Sequence, residues 1–318
     1  MKLKKLGTAV AVTAALGAGT ISQAHADAFA EAMINITNFL FTSGGSTPLV
    51  IGADITNLTF TDVLTNNAGL AGSGTSTSQA ATNTFQASTD PAQACVGACT
   101  KPENTFVIDT PPLPGTSFSR ADSLLANQPI VVPGFITGTQ SATIAETWIN
   151  SNTFGGATSD ITNNSTFEFT AARNIGTLGF DFDAVSFLRA WTSAGSTLGT
   201  SASGDIKWEI TLSGPNGIIA DWSPQGSSVG LTVTEPCDLN ANAVATFNTP
   251  QAATINCSGH FHATSTFALV AGQSYSLVIA QHVTTLAANA TAVPEPATLA
   301  LLGIGLAGIG FAQRRRSA

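Results

Sequence analysis

Two pairs of side chains in this sequence have the types and the spacing that metal binding requires. His260 and His262 are two residues apart in a segment with strand-like alternation, which places both imidazoles on one face. Asp181 and Asp183 have the same spacing in another such segment. Paired imidazoles suit a transition metal such as zinc, and paired carboxylates suit calcium, but either pair needs further ligands.

The further ligands are less evident from the sequence. His282 on the next predicted strand could complete the histidine pair, and Asp205 or Glu209 could complete the aspartate pair. The alternatives are exposed histidines without a metal and aspartates neutralised by Lys207 from a neighbouring strand. We therefore expect no cofactor, with calcium at the aspartate pair as the alternative.

Exposed tryptophans could bind sugar rings by stacking, and the chain has 4 tryptophans. Trp208 alternates with apolar residues in a predicted strand and is expected in the core. Trp191 and Trp222 lie near turn-forming residues and are expected at the surface. These two are therefore the candidates for carbohydrate binding.

Ser228 lies in a Gly-x-Ser-x-Gly sequence, which resembles the nucleophile elbow of hydrolases. That elbow needs a strand before the serine and a helix after it, whereas a strand is predicted after Ser228. No pair of carboxylates stands out for glycoside hydrolysis either. We therefore predict no catalytic residues and a non-enzymatic protein.

In an oxidising compartment the 4 cysteines would form two disulfides, with three pairings open. Their spacing favours Cys95 with Cys99 and Cys237 with Cys257. A redox pair or a zinc site at Cys95 and Cys99 is the alternative.

The elements that carry these residues are predicted to be antiparallel strands. Apolar and polar residues alternate from about residue 119 onward, and Gly, Pro and Asn turns separate the alternating segments. We predict an all-β fold, an antiparallel Greek-key β-sandwich or a jelly roll. The residues expected to face its core are Phe167, Phe169, Leu178, Phe180, Phe182, Ile206, Trp208, Ile210 and Leu212.

Tyr275 is the only tyrosine and closes a Leu-x-x-Gly-x-x-Tyr sequence at residues 269–275. In Greek-key sandwiches, a tyrosine at such a corner hydrogen-bonds to the backbone a few residues upstream. We predict this structural role for Tyr275.

Residues 27–118 are predicted to form an N-terminal strand and a loop-rich region that packs on the sandwich of residues 119–292. In the strand, Ile34, Ile36 and Leu40 are expected on one face. The Gly, Ser and Thr content of residues 42–91 favours flexible loops, with O-linked glycosylation as the alternative.

Charge argues against several classes of partner. Only 9% of the residues are charged, and three of the 11 basic residues stand in each of two terminal clusters. The part between the clusters is therefore more acidic than the formal −8 of the whole chain. Such a body repels phosphate backbones and anionic lipid, so we expect no nucleic-acid partner.

Residues 1–26 have the parts of a secretory signal peptide. A basic segment containing Lys2, Lys4 and Lys5 precedes an apolar segment, and Ala24 and Ala26 form an A-x-A cleavage site. We expect the general secretion machinery to export the chain and the mature protein to begin at Asp27.

Residues 293–318 contain Pro294-Glu295-Pro296, an apolar segment and the basic cluster Arg314-Arg315-Arg316. A helix over the apolar segment spans a bilayer only marginally, and the arginines would keep its end in the cytoplasm. This order of features resembles the PEP-CTERM sorting signal of Gram-negative bacteria. The resemblance implies an exosortase as partner, cleavage near the Pro-Glu-Pro sequence, transient membrane anchoring, and delivery to the cell surface or the extracellular matrix.

The rest of the chain resembles one subgroup of PEP-CTERM proteins, named for an EDSAVGF-type motif, whose activity is unassigned. The resemblance rests on short segments that include residues 95–99, 102–106, 120–123, 180–184 and 222–226. Together these features favour an exported, non-enzymatic surface or matrix protein of a biofilm. The alternatives are a module that binds extracellular polysaccharide and a hydrolase that acts on it.

Overall fold

The computed structural model describes residues 27–71, 74–83, 88–150, 155–194, 196, 198–249 and 251–289, which belong to one compact unit. The predicted signal peptide and the predicted sorting segment lie outside the described residues. The strands are β1 (Ala28–Ser43), β2 (Thr47–Pro48), β3 (Ile55–Leu70), β4 (Thr75–Asn83), β5 (Ala94–Gly97), β6 (Phe118–Ala126), β7 (Thr139–Ile149), β8 (Gly155–Ala171), β9 (Leu178–Thr192), β10 (Ser201–Gly214), β11 (Gly217–Trp222), β12 (Ser228–Val229), β13 (Leu231–Thr234), β14 (Ala241–Thr246), β15 (Gln251–Ser265) and β16 (Ser274–Asn289).

The strands form two antiparallel sheets that pack face to face, which confirms the predicted sandwich. In the first sheet, sheet I, the strand order is β13-β15-β9-β1-β7-β6-β5, and β2 pairs with β1. In the second, sheet II, the order is β12-β11-β10-β16-β8-β3-β4, and β14 pairs with β10. The core lies between the sheets, and all the residues predicted to face it from β8, β9 and β10 are buried there.

The alternation in β1 shifts by one residue at Asn38, so one predicted core position is wrong. A bulge between Ile36 and Phe39 interrupts the pairing with β7, and Asn38 has a positive φ of 56°. Ile34 and Ile36 face the core as predicted, but beyond the bulge Phe39 is buried in the core and Leu40 is only half-buried. A strict period of two cannot anticipate this shift.

The loop prediction for residues 42–91 is also wrong over most of its length, because β3 and β4 lie there. Strand β3 pairs with both β8 and β4 inside sheet II. Threonine has a high strand propensity, and β3 places its threonines on the wet face and Phe60, Leu64 and Leu70 on the core face. A Thr-rich segment of this kind is a strand with one hydroxyl-bearing face.

The corner at Tyr275 forms as predicted. The backbone N–H of Val270 donates a hydrogen bond of 2.8 Å to the Tyr275 hydroxyl, and the ring stacks on Phe169 with centroids 5.8 Å apart. The corner fixes the connection between β15 in sheet I and β16 in sheet II.

The first strand, β1, begins at the same end of the sandwich at which the last strand, β16, ends. Ala28 pairs with Ile149 at the end of β7, and Asn289 pairs with Gly155 at the start of β8. Only residues 150–154 separate the two partner residues, Ile149 and Gly155. The start of β1 and the end of β16 are therefore close together. We call this the tail end and the opposite one, which carries the Tyr275 corner, the far end.

Candidate functional site

The structure brings the two predicted metal-binding pairs together. Strands β9 and β15 are neighbours in sheet I, with His260 opposite Asp183 and His262 opposite Asp181. The His260 Nδ1 lies 3.0 Å from an Asp183 oxygen, and its Nε2 lies 3.0 Å from an Asp181 oxygen. The His262 Nδ1 lies 3.1 Å from the other Asp181 oxygen. We call these four residues the His–Asp quartet.

Asn38, at the bulge of β1, extends the quartet. Its side-chain amide donates a hydrogen bond of 3.2 Å to the second Asp183 oxygen. This hydrogen bond, together with the one from His260, lowers the pKa of Asp183 below the usual value for aspartate. Asp183 is therefore an ionised, exposed carboxylate.

The candidate further ligands lie in sheet II and do not join the quartet. His282 pairs there with Asp160 at 2.8 Å, and Lys207 neutralises Asp205 on its own strand, at 3.3 Å, instead of the aspartates of β9. Glu209 is also on β10. As the side chains stand, no group of three or more imidazole, thiolate or carboxylate residues in the described part of the chain surrounds one metal position.

Of the three tryptophan predictions, one is confirmed, one is wrong and one is only partly met. Trp208 is buried in the core as predicted. Trp222 is not at the surface but fully buried against Trp208, and its indole N–H donates to Glu235. Trp191 is half-buried and stacks on Trp148 with centroids 6.2 Å apart, so it presents only part of its ring to solvent.

Both disulfides have the pairing that the spacing favours, Cys95 with Cys99 and Cys237 with Cys257. All four sulfurs are bonded, so a zinc thiolate site at Cys95 and Cys99 does not form. Ser228 lies on the short exposed strand β12, and β13 follows it, so the strand–turn–helix setting of a hydrolase elbow is missing there.

A second constellation, which the sequence analysis missed, lies on the outer face of sheet I. Four charged residues stand side by side on adjacent strands, and we call them the ion row. In order across the sheet, the row is Arg189 on β9, Glu31 on β1, Glu146 on β7 and Arg120 on β6.

Ion pairs within the row, and between the row and the neighbouring residues Lys101 and Asp122, neutralise most of its charge. One Glu146 oxygen lies 2.5 Å from Lys101 Nζ and the other lies 2.5 Å from an Arg120 nitrogen. Arg120 also contacts Asp122 at 2.8 Å, and Lys101 contacts Asp109 at 3.0 Å. These residues form a continuous network in which Glu146, Asp122 and Arg120 are almost completely buried.

Glu31 differs from the other acids of the network. Its carboxyl group accepts the backbone N–H of Asp109 at 3.0 and 3.2 Å. Burial, reinforced by the nearby charge of Glu146, raises the pKa of Glu31 to about 9. Glu31 is therefore protonated at neutral pH. Lys101 and Arg120 contact the carboxyl groups of Glu146, Asp109 and Asp122, whereas Arg189 donates to the backbone carbonyl of Asp109.

Residues 98–117 cover the ion row. Phe106 packs on an outer apolar cluster of Met33, Ile144 and Phe187, and the Thr105 carbonyl accepts a hydrogen bond from Arg120. The cover starts at Gly97, where φ is +89° and any Cβ would overlap the Ser117 carbonyl, so only glycine fits.

A protonated carboxyl group beside an ionised one is the arrangement that glycosidases use. Here both oxygens of Glu146 are held by cations, and Glu31 and Glu146 are fully buried. A cavity of about 190 Å³ beside the row reaches Glu146, Lys101, Asp109 and Arg120 but not Glu31. The geometry therefore assigns the row to holding the cover on sheet I. One sequence signal was available: Glu31 and Glu146 are each the only charge in an otherwise uncharged strand.

Polar residues also lie inside the sandwich. Asp62 on β3 accepts hydrogen bonds from Ser165 at 2.6 Å and from Thr89 at 3.3 Å, and burial raises its pKa to about 7. Gln281 on β16 bonds across the core to Ser141 and Thr143 on β7. These contacts satisfy polar groups that the core would otherwise leave unpaired, and they tie the two sheets together.

Two open grooves flank Tyr275 at the far end. One, of about 710 Å³, is lined by residues that include Phe267, Val270, Asn216 and Gln273. The other, of about 500 Å³, lies on the outer face of sheet II. Its lining residues are Asn57, Thr59, Glu168, Phe169, Thr170, Ser213, Gly214, Ser274, Tyr275 and Ser276. Amide, hydroxyl and aromatic groups thus predominate there.

In the described residues, no helix has the length and hydropathy to cross a membrane. Comparison with curated proteins and with solved structures found no match. Residues 292–316 match the family model of the PEP-CTERM protein-sorting motif. The motif contains the predicted processing residues Pro294, Glu295, Pro296 and Arg314 to Arg316, which, like Ala24 and Ala26, lie outside the described residues. The chain therefore carries a PEP-CTERM sorting motif, which implies C-terminal membrane anchoring, processing by an exosortase and an extracellular destination.

Proposed function

We propose that the protein is a non-enzymatic component of the cell surface or extracellular matrix, whose β-sandwich is displayed with its far end outward. The observation that carries this proposal is the position of Asn289, the last described residue, at the tail end. The chain continues from there to the sorting motif at residues 292–316. Attachment or processing therefore takes place at one end and leaves the opposite end free to face the surroundings.

The composition supports a role outside the cell. Two disulfides brace the body, and sheet II turns a row of hydroxyl groups on β3 and β8 toward solvent. The most concentrated acid–base cluster, the ion row, is paired and covered, which supports a structural use of its carboxylates over a catalytic one.

Display can be tested in cells that contain an exosortase. An epitope inserted between Pro215 and Asn216, in the far-end turn of β10 and β11, should be reached by antibody on intact cells. The matched insertion between Leu198 and Gly199, at the tail end, should be reached less well while the tail is attached. An epitope that is reached only after cell lysis would contradict the proposal.

Sorting is tested by changing Pro294-Glu295-Pro296 to three alanines and measuring the mass and location of the product. We expect an exported chain that retains its tail, while the control Pro215→Ala is processed normally. Unchanged processing of the triple-alanine chain would contradict exosortase recognition. Release of new reducing ends from matrix polysaccharide, abolished by Glu146→Gln, would contradict the non-enzymatic role.

A second candidate function, binding of neutral polysaccharide, is favoured by the two far-end grooves. Sugar sites combine aromatic faces with amide and hydroxyl groups, and Phe267, Asn216 and Gln273 provide such groups in the larger groove. Retention on immobilised matrix polysaccharide should fall in Phe267→Ala and Gln273→Ala. Trp191→Ala tests the remaining tryptophan at the tail end. Equal retention of all variants, or none of the native chain, would contradict this function.

A further inference from the structure

We infer that the His–Asp quartet is a surface site for a divalent transition metal ion, zinc or copper(II). The inference does not depend on the proposed function. Its four ligand groups are Asp181 and Asp183 on β9 and His260 and His262 on β15. The side chains remain accessible, with His260 57% exposed and Asp183 52% exposed.

The first argument concerns the two nitrogens of His260. Nδ1 is hydrogen-bonded with Asp183, and Nε2 lies 3.0 Å from an oxygen of Asp181. Each ring nitrogen of His260 thus faces a carboxylate oxygen, and an imidazole nitrogen that carries no hydrogen is a metal ligand. A metal ion between such a nitrogen and the facing carboxylate oxygen would be bound by both.

The second argument concerns distance. Zinc is bound by imidazole nitrogen and carboxylate oxygen at about 2.0 to 2.2 Å. Two such ligands at the angles of a tetrahedron or octahedron are then about 3 to 3.5 Å apart. The nitrogen–oxygen distances within the quartet, 3.0 to 3.1 Å, already fall in this range. In the described residues no three of these side chains surround one point as they stand, so the proposed binding of one ion by three or four ligands requires side-chain rotation.

The third argument concerns rigidity. Phe182 lies between the two aspartates and Phe261 between the two histidines, and both are fully buried. Their rings stack with centroids 5.2 Å apart and an interplanar angle of 4°. Inward-facing residues thus fix the two strands on which the ligands stand, so binding costs side-chain ordering but little backbone ordering.

The ligand set also selects the metal. Calcium takes six to eight oxygen ligands, whereas two imidazoles with two carboxylates suit zinc and copper(II). We therefore propose a transition metal here, in place of the calcium that was the alternative for the aspartates alone.

The test is calorimetric titration of the full chain in detergent, without a histidine tag and after treatment with a chelator, with zinc chloride. We expect one ion per chain, and at least about tenfold weaker binding in the double variant His260→Gln, His262→Gln. The matched control is His282→Gln, because His282 forms a single His–Asp pair on the other sheet. It should bind zinc like the native chain.

Copper(II) provides a second readout, since its electron paramagnetic resonance spectrum should contain couplings from two imidazole nitrogens in the native chain and in His282→Gln. The inference is overturned if the native chain binds no zinc at millimolar concentration, or if the double variant binds it as tightly. Circular dichroism of each variant identifies loss of fold. If the double variant unfolds, the imidazole couplings of the native chain and their retention in Asp160→Asn decide the matter.

Discussion

Glu31 should make the protein less stable as the pH rises, and Glu31→Gln should remove this effect. The pKa of Glu31 is 4.5 in the unfolded chain and about 9 in the folded protein. Between these values the folded state holds a proton that the unfolded state has lost. The free energy of unfolding therefore falls with increasing pH across this window and is largest below pH 4.5.

The magnitude follows from the size of the shift. Each pH unit in the window costs about 1.4 kcal/mol, so Glu31 lowers stability by about 3 kcal/mol at pH 7 relative to pH 4.5. This is an upper bound, because local relaxation and water entry reduce the cost of a buried charge. The amide introduced by Glu31→Gln keeps the shape of the protonated acid, and its oxygen can still accept the Asp109 N–H. The variant should therefore be increasingly more stable than the native protein as the pH rises.

The assay is urea unfolding followed by tryptophan fluorescence at pH 5, 6, 7 and 8, with the disulfides intact. We expect the stability difference between Glu31→Gln and the native protein to grow by about 1.4 kcal/mol per pH unit at most. Asp62, whose pKa is about 7, titrates in both proteins and cancels in the difference. Glu168→Gln, an exposed change on sheet II, should give a parallel curve. Parallel curves for Glu31→Gln would show that Glu31 is ionised in the folded state and would refute the reasoning.

Three further changes test the framework around the site. Arg120→Leu leaves Glu146 and Asp122 without their buried partner and should lower the free energy of unfolding in urea by about 3 to 5 kcal/mol. A loss below about 1 kcal/mol would contradict a role of the row in stability. Replacing Cys237 and Cys257 by serine opens a link between residues 20 apart and should cost about 3 kcal/mol, to be compared with reduction of the native protein. Tyr275→Phe removes the hydrogen bond to Val270 and should lower the free energy of unfolding by about 1 kcal/mol. An unchanged midpoint of urea unfolding would show that ring packing alone holds the corner.

The parts of the fold that follow a regular period could be predicted from the sequence. Alternation in β9 and β10 places residues such as Phe180 and Ile210 in the core, and the Leu-x-x-Gly-x-x-Tyr spacing predicts the corner at Tyr275. The bulge at Asn38 could not be predicted, because it depends on how β1 pairs with β7 and β9 simultaneously. Strand pairing is non-local, and local alternation carries no information about it.

The same limit applies to the candidate sites. The pairs His260 and His262, and Asp181 and Asp183, were evident from spacing, but only the register of β15 on β9 unites them. The ion row was missed because its members are far apart in sequence, and only strand pairing brings them side by side. Trp222 was placed at the surface because turn residues follow it, although its side chain points inward toward Trp208. Neighbouring turns indicate where a strand ends, and they do not determine which way its last side chain points.

The ion row and its cover also take up most of the basic residues of the body. Five basic residues lie between the two terminal clusters, and three of them, Lys101, Arg120 and Arg189, belong to the row or its cover. Only Arg173 and Lys207 remain as well-exposed cations of the body. The outer surface is thus left to acids and hydroxyl groups. Such a surface repels anionic polymers and carries little fixed positive charge with which to bind them. We therefore expect a matrix ligand of the body to be neutral or cationic, and an anionic one to require a bound cation such as the one proposed for the His–Asp quartet.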